Sequence, residues 1–207
     1  MSANPETAKA TPSPVAEEET VRLKDPQLAA LLAWLIPGMG HLYQGRTAKG
    51  LLFFICIFGM FAYGLYLGGS SELGWGRVVY FSWEPGNRRL AYLCQIGAGL
   101  PALPALIQAN RYANNKPVWW GGFMAPPRSE NPPERIQGPD HNAEQPTAHQ
   151  LHVRLARYFE LGSAYTMMAG LLNLLAIYDA WAGPVFARRG KESEEDRPDG
   201  EGEGRDG

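Results

Sequence analysis

The segment whose residue types could best support chemistry is GHLYQGRT, residues 40–47. It fits the phosphate-loop pattern G-x-x-x-x-G-K-[ST] except that Arg46 replaces the lysine. In such loops, backbone N–H groups bind phosphates where a buried strand gives way to a helix. Here an uncharged apolar run follows, and no later apolar strand ends in a metal-binding Asp. We therefore expect a turn between helices, and nucleotide binding is the less favoured alternative.

The same segment has the residues that a turn between two membrane helices requires. Pro37 and Gly38 can end or kink a first helix, and glycines allow the backbone to approach a neighbour closely. Long cationic side chains at such a turn are expected to reach lipid phosphates. A proton-responsive or ligand-binding role for His41 beside Tyr43 is the alternative. The residues assigned to this turn are Pro37, Gly38, Gly40, His41, Tyr43, Gly45, Arg46, Lys49 and Gly50.

Uncharged polar residues inside apolar segments form a second candidate set, namely Gln95, Gln108, Thr166 and Asn173. Thr166 and Asn173 are seven residues apart, so a helix places them on one face together with Gly170. Stripes of this kind join membrane helices through hydrogen bonds of about 1 kcal/mol each. A substrate path lined by the same groups is the alternative.

Asp179 is the only acidic residue within the last apolar segment, residues 161–187. Nineteen residues separate it from Glu160, which corresponds to about 28 Å along a helix. This length is close to the thickness of a hydrocarbon core. The two carboxylates are therefore expected at opposite interfaces, with Tyr178 and Trp181 in an aromatic belt. We favour this position for Asp179 over that of a buried functional acid.

Three histidines, His141, His149 and His152, fall within twelve residues. The last two have the i, i+3 spacing of metal ligands on a helix, but no cysteine accompanies them and the surroundings are linker-like. We expect a solvated juxtamembrane segment that binds neither a metal nor a cofactor. The sequence also shows no Ser-His, Cys-His or paired-carboxylate arrangement, which predicts a protein without catalytic residues that is not an enzyme.

Three long apolar segments define the expected architecture. Residues 50–67 contain no charge, and residues 90–110 and 161–187 are also predominantly apolar. Each is near the roughly 20 residues that a helix needs to cross a membrane. Pro101 and Pro104 interrupt the second segment, and a membrane helix tolerates such prolines with a kink.

A fourth apolar segment, residues 27–36, is short. It follows Asp25 and Pro26, a good helix start with an N-cap and a proline at the first helical position. It reaches the lower limit for a span only if the helix continues to Tyr43. It is either a kinked full span, which we favour, or a half-helix dipping into the membrane. The sequence thus predicts an all-α polytopic membrane protein with three or four transmembrane helices.

The remaining sequence separates into tails and connections. The predicted divisions are a disordered N-terminal tail (1–24), a helical hairpin (25–69), an interfacial loop (70–89), a transmembrane helix (90–110), a flexible Pro-rich linker (111–150), a juxtamembrane segment with a transmembrane helix (151–189) and a disordered acidic tail (190–207).

Charge and cysteine content exclude some classes of partner and bond. The formal net charge of −2 gives no basic field for binding nucleic acid. Cys56 and Cys94 both lie in apolar segments, where we expect them to pack as small hydrophobic residues without forming a disulfide. The distribution of Lys and Arg weakly favours cytoplasmic termini.

Residues 27–69, which contain the segment PGMGHLYQGRTAKGLLFF, resemble the two-transmembrane-helix ("TM-two") domain of small membrane proteins. It departs from that family in Leu42, where an aromatic residue often precedes the tyrosine, and in lacking the acidic-Arg-Phe turn of animal members. The later segment ELGSAYTMMAGLLNLLAIYDAWAGP resembles an uncharacterised bacterial membrane-protein family that carries this domain at its N-terminus. The resemblance implies a membrane location and a helical hairpin, and supplies no catalytic residue. The motif positions of the domain are occupied by Gly38, Gly40, His41, Tyr43, Gly45 and Gly50.

The leading functional hypothesis is a non-enzymatic protein of the bacterial cytoplasmic (inner) membrane that acts in assembly, scaffolding or envelope organisation. Its expected partners are the lipid bilayer and a membrane protein or a second copy of the chain, because small residues in the spans suit helix packing. A small transporter or channel subunit is the alternative. That function would need a water-accessible polar face joining Gln95, Asn173 and Asp179.

Overall fold

The computed structural model of the chain describes residues 24–84, 87–129 and 139–182. The two predicted disordered tails lie outside these residues, apart from Lys24. The described part is predominantly helical, as predicted, with one pair of two-residue strands. We number the helices α1 (Pro26–Leu35), α2 (Met39–Tyr43), α3 (Thr47–Leu67), α4 (Ala91–Gln95), α5 (Pro104–Ala113), α6 (Ala148–Leu155) and α7 (Arg157–Ala182), and the strands β1 (Trp83–Glu84) and β2 (Asn87–Arg88).

Two of these helices, α3 with 21 residues and α7 with 26, are long and apolar enough to cross a membrane. They pack antiparallel, since Lys49 near the start of α3 contacts Asp179 near the end of α7, and Gly64 near the end of α3 packs against Gly162 near the start of α7. Large apolar side chains such as Ile55 remain exposed along their outer faces. A π-helical stretch, Phe54–Phe58, interrupts α3.

The first hairpin, residues 24–45, enters the bundle beside Asp179 and leaves it at the same end. Helix α1 stops after ten residues, where Gly38 takes a left-handed φ of 82° and the chain reverses. Helix α2 then runs back beside α1, so that the Lys24 ammonium donates to the Tyr43 carbonyl at 2.8 Å. The turn of this hairpin reaches the middle of α7, where the Ala33 carbonyl meets Asn173.

The second hairpin, residues 89–113, enters from the opposite end of α7. It starts where Arg89 donates to the Ser163 hydroxyl. Helix α4 is followed by two 3₁₀ turns, Ile96–Ala98 and Leu100–Ala102, and α5 returns towards the same end. Gln108 on α5 bonds to the loop at residues 119–123, which packs with the 68–89 loop.

Residues 68–84, 87–88, 114–129 and 139–156, which we call the cap, pack together at the Glu160 end of α7. Arg77, only 3% exposed, joins its parts by donating to the Leu73 carbonyl at 2.6 Å and the Gln145 side chain at 2.7 Å, and to the Gly121 carbonyl. Burial lowers the pKa of Arg77 to about 10, which leaves it charged at neutral pH. The β1–β2 pair belongs to the same cap.

The geometry differs from three of the sequence-based expectations. The segment 90–110 was expected to form one helix, but Pro101 and Pro104 remove N–H donors and the chain breaks and turns back. The segment 27–43 does not continue as one helix to Tyr43, because the chain reverses at Pro37 and Gly38. The described parts of the predicted linker, 111–129 and 139–150, are packed into the cap, with Met124 and Asn142 both buried.

Candidate functional site

The two hairpins meet in the middle of the protein at the side chain of Asn173. Its amide nitrogen donates to the Ala33 carbonyl at 3.1 Å and to the Gly97 carbonyl at 2.9 Å. These carbonyls belong to segments that enter from opposite ends of the bundle and lie 140 and 76 residues away in the chain. One fully buried side chain on α7 therefore joins both hairpins, and we call this place the junction.

The two carbonyls at the junction need a side-chain donor for the same reason. In an α-helix, a carbonyl accepts from the N–H four residues later. Four residues after Ala33 is Pro37, and four residues after Gly97 is Pro101, and neither proline has an N–H. Asn173 supplies donors to both carbonyls through its amide nitrogen, while its own side-chain oxygen is buried without a partner among the described residues.

Small residues let the backbones meet this closely around the junction. A Cβ placed on Gly170 of α7 would lie 2.0 Å from the Cys94 carbonyl oxygen, and one on Gly99 would lie 1.6 Å from the Trp34 carbonyl oxygen. Gly99 also has a φ of 78° and a ψ of −134°, a conformation that is essentially restricted to glycine. The tips of the two hairpins are therefore in direct backbone contact.

A second buried polar pair joins α4 to α7. The Gln95 amide donates to the Thr166 hydroxyl at 2.8 Å and to the Val78 carbonyl at 3.1 Å. The Thr166 hydroxyl in turn lies within hydrogen-bond distance of the Gly162 carbonyl. Gln108, the remaining polar residue of the predicted set, instead ties α5 to the cap through three bonds with Trp119 and Phe123. The predicted polar residues thus link helices and loops.

At the far end of α7, the hairpin turn and α3 surround the Asp179 carboxylate with donors. His41 Nε2 lies 2.6 Å from Asp179 Oδ2 and Lys49 Nζ lies 2.5 Å from the same oxygen. Arg46 Nη1 is 3.6 Å away, an ion pair too long for a hydrogen bond. We call these four residues the charged cluster. Gln44, next to it in the chain, fastens the turn to α7 by donating to the Ala180 carbonyl at 2.5 Å.

Burial favours the neutral form of His41. Its side chain is fully buried, and burial lowers its pKa; Arg46 and Lys49 lower it further, against the opposing effect of Asp179. A neutral imidazole that faces a carboxylate through Nε2 carries its proton there, which leaves Nδ1 as an acceptor. The ring also contacts Phe53, with 4.8 Å between centroids.

The charged cluster differs from what the sequence led us to expect for its members. Arg46 and Lys49 were expected to reach lipid phosphates, and in the structure both also face a protein carboxylate. Asp179 was expected at a membrane interface rather than as a buried functional acid, and it is one-third exposed and paired with three basic side chains. Arg46 and Lys49 pair with an acid on a distant helix. The spacing of residues along the sequence does not predict such a long-range pair.

The glycines of the turn have distinct positions. A Cβ on Gly40 would lie 2.1 Å from the Ala29 carbonyl oxygen, and one on Gly38 would lie 2.1 Å from that of Gly50, so both permit close crossing. Gly45 takes a φ of 81° with open space around it. Tyr43 is held by Lys24, whose ammonium lies 5.1 Å from the ring centroid.

The three histidines of the predicted juxtamembrane segment lie in the cap. His152 on α6 has Nδ1 2.8 Å from the Ala148 carbonyl, and its Nε2 is 3.8 Å from Glu160. His141 and His149 are exposed. Within the described residues, no group of three or more His, Cys, Asp or Glu side chains is arranged to hold a metal ion.

Sequence reasoning did not find the partners that complete these sites. The carbonyls of Ala33 and Gly97 carry no side-chain signature, although a proline four residues after each was a signal that both would need a donor. Arg89 was also missed, although its guanidinium bonds to Ser163 and lies over the rings of Tyr80 and Phe159.

Comparison with known proteins gives a family but no function. No curated protein matches the chain. No solved structure matches it either. A family model described as "Family of unknown function (DUF6677)" matches residues 28–193, which include both hairpins, the cap and α7. The chain therefore belongs to the DUF6677 family of unknown function.

Proposed function

We propose that the protein is a non-enzymatic integral membrane protein, anchored by two crossing helices and two re-entrant hairpins, that presents its cap as a docking platform in assembly or envelope organisation. In this arrangement α3 and α7 cross the bilayer, and each hairpin enters from a different side and returns. The cap then lies on one side of the membrane and both chain ends on the other. The bacterial cytoplasmic membrane is the proposed location.

The observation that supports a scaffold best is how the buried polar side chains are used. Gln95, Thr166 and Asn173 are each 0% exposed. Gln95 and Asn173 donate to neighbouring helices or loops, and Thr166 accepts from Gln95 while it donates within α7. Close glycine contacts fill the space around them. Broken helices are stable in lipid only when other protein groups pair the freed backbone, which is what Asn173 does. These contacts favour a fixed framework.

Exposed aromatic residues support the proposed depth of the protein in the membrane. Tyr178 and Trp181 are exposed at the Asp179 end, and Tyr66, Trp75 and Trp120 are exposed at the cap end. Aromatic side chains with one polar group concentrate at the two membrane–water interfaces. The apolar lengths of α3 and α7 lie between these two groups.

The proposed topology predicts that the 68–88 loop and residues 139–156 are on one side of the membrane. Glu72 and Glu144 line one cleft of the cap, whereas Lys24 lies at the other end of the bundle. Single-cysteine variants at these three positions, without the native cysteines, should react with a membrane-impermeant maleimide as follows. Glu72→Cys and Glu144→Cys react from the same side, and Lys24→Cys reacts from the other.

The alternative topologies give different labelling patterns. If all four apolar segments crossed, Glu144→Cys would react from the side opposite to Glu72→Cys and Lys24→Cys. If only the 90–110 segment crossed in addition to α3 and α7, Lys24→Cys and Glu144→Cys would share a side. Either pattern would refute the two-crossing arrangement. Labelling after the membrane is permeabilised serves as the control that each cysteine is reactive.

A transporter or channel subunit is the second candidate, favoured by one specific observation. The side-chain oxygens of Gln95 and Asn173 are buried and have no hydrogen-bond partner among the described residues. Broken helices that meet near the midplane, with polar groups facing the break, form substrate sites in many transporters. Water bound at these oxygens would indicate a path for a substrate through the protein.

The native cysteines test whether water reaches the junction. Cys94 is partly buried, and its carbonyl packs against Gly170, whereas Cys56 is exposed on the outer face of α3. For a scaffold, we expect neither thiol to react with the impermeant maleimide in intact membranes, because one faces packed helices and the other faces lipid. Reaction of Cys94 in a Cys56→Ser variant would favour the transporter. Cys56 in a Cys94→Ser variant is the matched control.

Residues 27–69, which resemble the TM-two domain, contribute a hairpin followed by a crossing helix to the proposed topology. In the proposed topology the hairpin re-enters, and α3 is the first crossing. No catalytic residue, cofactor or metal is proposed.

A further inference from the structure

The charged cluster carries more positive than negative charge. Arg46 and Lys49 are both cationic, and Asp179 is the only carboxylate that faces them among the described residues. Lys24 and Asp25, adjacent at the same end of the bundle, carry opposite charges that offset each other. His41 Nε2 and Lys49 Nζ lie within hydrogen-bond distance of Asp179 Oδ2, whereas Arg46 does not.

Of the three basic side chains in the charged cluster, Arg46 lies farthest from the Asp179 carboxylate. Its Nη1 atom is buried but has no hydrogen-bond partner in the described part of the chain, and its distance of 3.6 Å from Asp179 is beyond hydrogen-bond range. A buried donor on a charged group that lacks a partner is costly, so such atoms usually face water, an ion or a ligand. The rest of the side chain is partly exposed, at 28%, which leaves it open to an external anion.

The backbone next to Arg46 provides further donors. Arg46 is the N-cap of α3, and no side chain caps this end of the helix. The first N–H groups of a helix are without intrahelical acceptors and carry partial positive charge, which favours a phosphate or another anion. Gly45 precedes them with nothing within 4 Å of the position where its Cβ would be, so the approach is open.

The position of the charged cluster indicates which anion could reach it. Tyr178 and Trp181, next to Asp179, are 63% and 54% exposed, as expected of residues at a membrane–water interface. Phospholipid phosphates lie at that level. A phosphate oxygen accepts hydrogen bonds from Arg, Lys and backbone N–H groups together.

We propose that Arg46, Lys49 and the first turn of α3 form a binding site for a phosphate group, supplied by the headgroup of an anionic phospholipid. Asp179 holds the two cations in place when the site is empty and competes with the phosphate for them. The site rests on the membrane arrangement proposed above only for the source of the phosphate. The donors themselves depend on the local geometry.

Binding by the detergent-solubilised full chain tests the site without reference to topology. Short-chain phosphatidylglycerol is titrated in parallel with short-chain phosphatidylcholine and inorganic phosphate. We expect phosphatidylglycerol to bind most tightly, and Arg46→Gln and Lys49→Gln each to weaken it about tenfold, as for the loss of one charge-assisted hydrogen bond. Arg154→Gln, on an exposed ion pair with Glu72 in the cap, is the matched control and should leave the affinity unchanged.

Asp179→Asn separates a binding site from an internal salt bridge. Removing the competing carboxylate should increase the affinity for phosphatidylglycerol severalfold, while thermal unfolding shows a less stable protein. Lys49→Arg, which keeps the charge, should bind as the native chain does. These two variants keep the proposal testable if either glutamine variant fails to fold.

Three results would overturn the proposal. The first is equal binding of phosphatidylglycerol and phosphatidylcholine, and the second is an Arg154→Gln effect as large as that of Arg46→Gln. The third is weaker lipid binding by a folded Asp179→Asn variant. Inorganic phosphate that binds as tightly as the lipid would retain the site but refute the headgroup as its source. A failed topology experiment, by contrast, would leave the detergent results as they stand.

Discussion

Asn173→Leu should destabilise the protein by about 2–6 kcal/mol, because it leaves two buried carbonyls without a donor at about 1–3 kcal/mol each. Leucine branches at the same carbon as asparagine but is larger, so overpacking at this fully buried position adds to the loss. Neither carbonyl finds a donor in its own segment, since Pro37 stands four residues after Ala33 and the 3₁₀ turn that contains Gly97 ends at Gly99. Chemical unfolding of the protein in mixed micelles, followed by circular dichroism, measures the loss.

The same substitution at an exposed position is the control. Asn110 on α5 is exposed and bonds only within its own helix, to Asn114. Asn110→Leu should therefore change the free energy of unfolding by no more than about 0.5 kcal/mol. Hydrogen exchange should also become faster at the amides of Ile36 and Gly99, at the two hairpin tips, in Asn173→Leu alone. A loss no larger than that of the control would show that the junction does not depend on this amide.

Gly99→Ala should have the other large effect, on the order of 2–6 kcal/mol. The backbone conformation of Gly99 costs another residue about 1–3 kcal/mol. The new Cβ would also lie 1.6 Å from the Trp34 carbonyl oxygen, and relieving such overpacking costs about 1–3 kcal/mol more. Since whole domains have only about 5–15 kcal/mol of stability, much of the variant should fail to reach the folded state in the membrane.

Three other glycines separate the two contributions to this loss. Gly45→Ala keeps the positive φ without any contact and should show the conformational cost alone, about 1–2 kcal/mol. Gly170→Ala keeps a helical backbone but meets the Cys94 carbonyl, and should show the packing cost alone. Gly59→Ala has neither and should be neutral or slightly stabilising in a helix. If Gly99→Ala were no worse than Gly45→Ala, the hairpin tips would not be in contact in the membrane.

The sequence alone was sufficient to indicate the long helices and the polar residues that join them. The uncharged run at 50–67 predicted α3, since only a helix satisfies its own backbone while exposing apolar side chains on every side. Thr166 and Asn173 were placed on one face of α7 by their spacing alone. Asp25 and Pro26 predicted where α1 begins, and the Asp25 side chain indeed caps that helix.

The sequence did not indicate which apolar segments form one continuous helix and which reverse direction. A proline inside an apolar segment is compatible with a kinked crossing helix or with a reversal, because lipid permits either when the freed carbonyl finds a donor. The position of that donor therefore determines whether the chain can reverse. Near both Pro37 and Pro101 the donor is Asn173, which bonds to the carbonyls of Ala33 and Gly97. No local pattern relates these three positions, since the contact is formed only when both hairpins pack on α7.

The charged cluster depended on tertiary structure for the same reason. Arg46 and Lys49 lie at the start of α3, where the sequence predicted the end of the turn. Their pairing with Asp179, 130 or more residues away, requires α3 and α7 to run antiparallel at a fixed height. Local composition thus determined the helices and their ends, whereas long-range packing determined the chemical partners that their polar residues acquired.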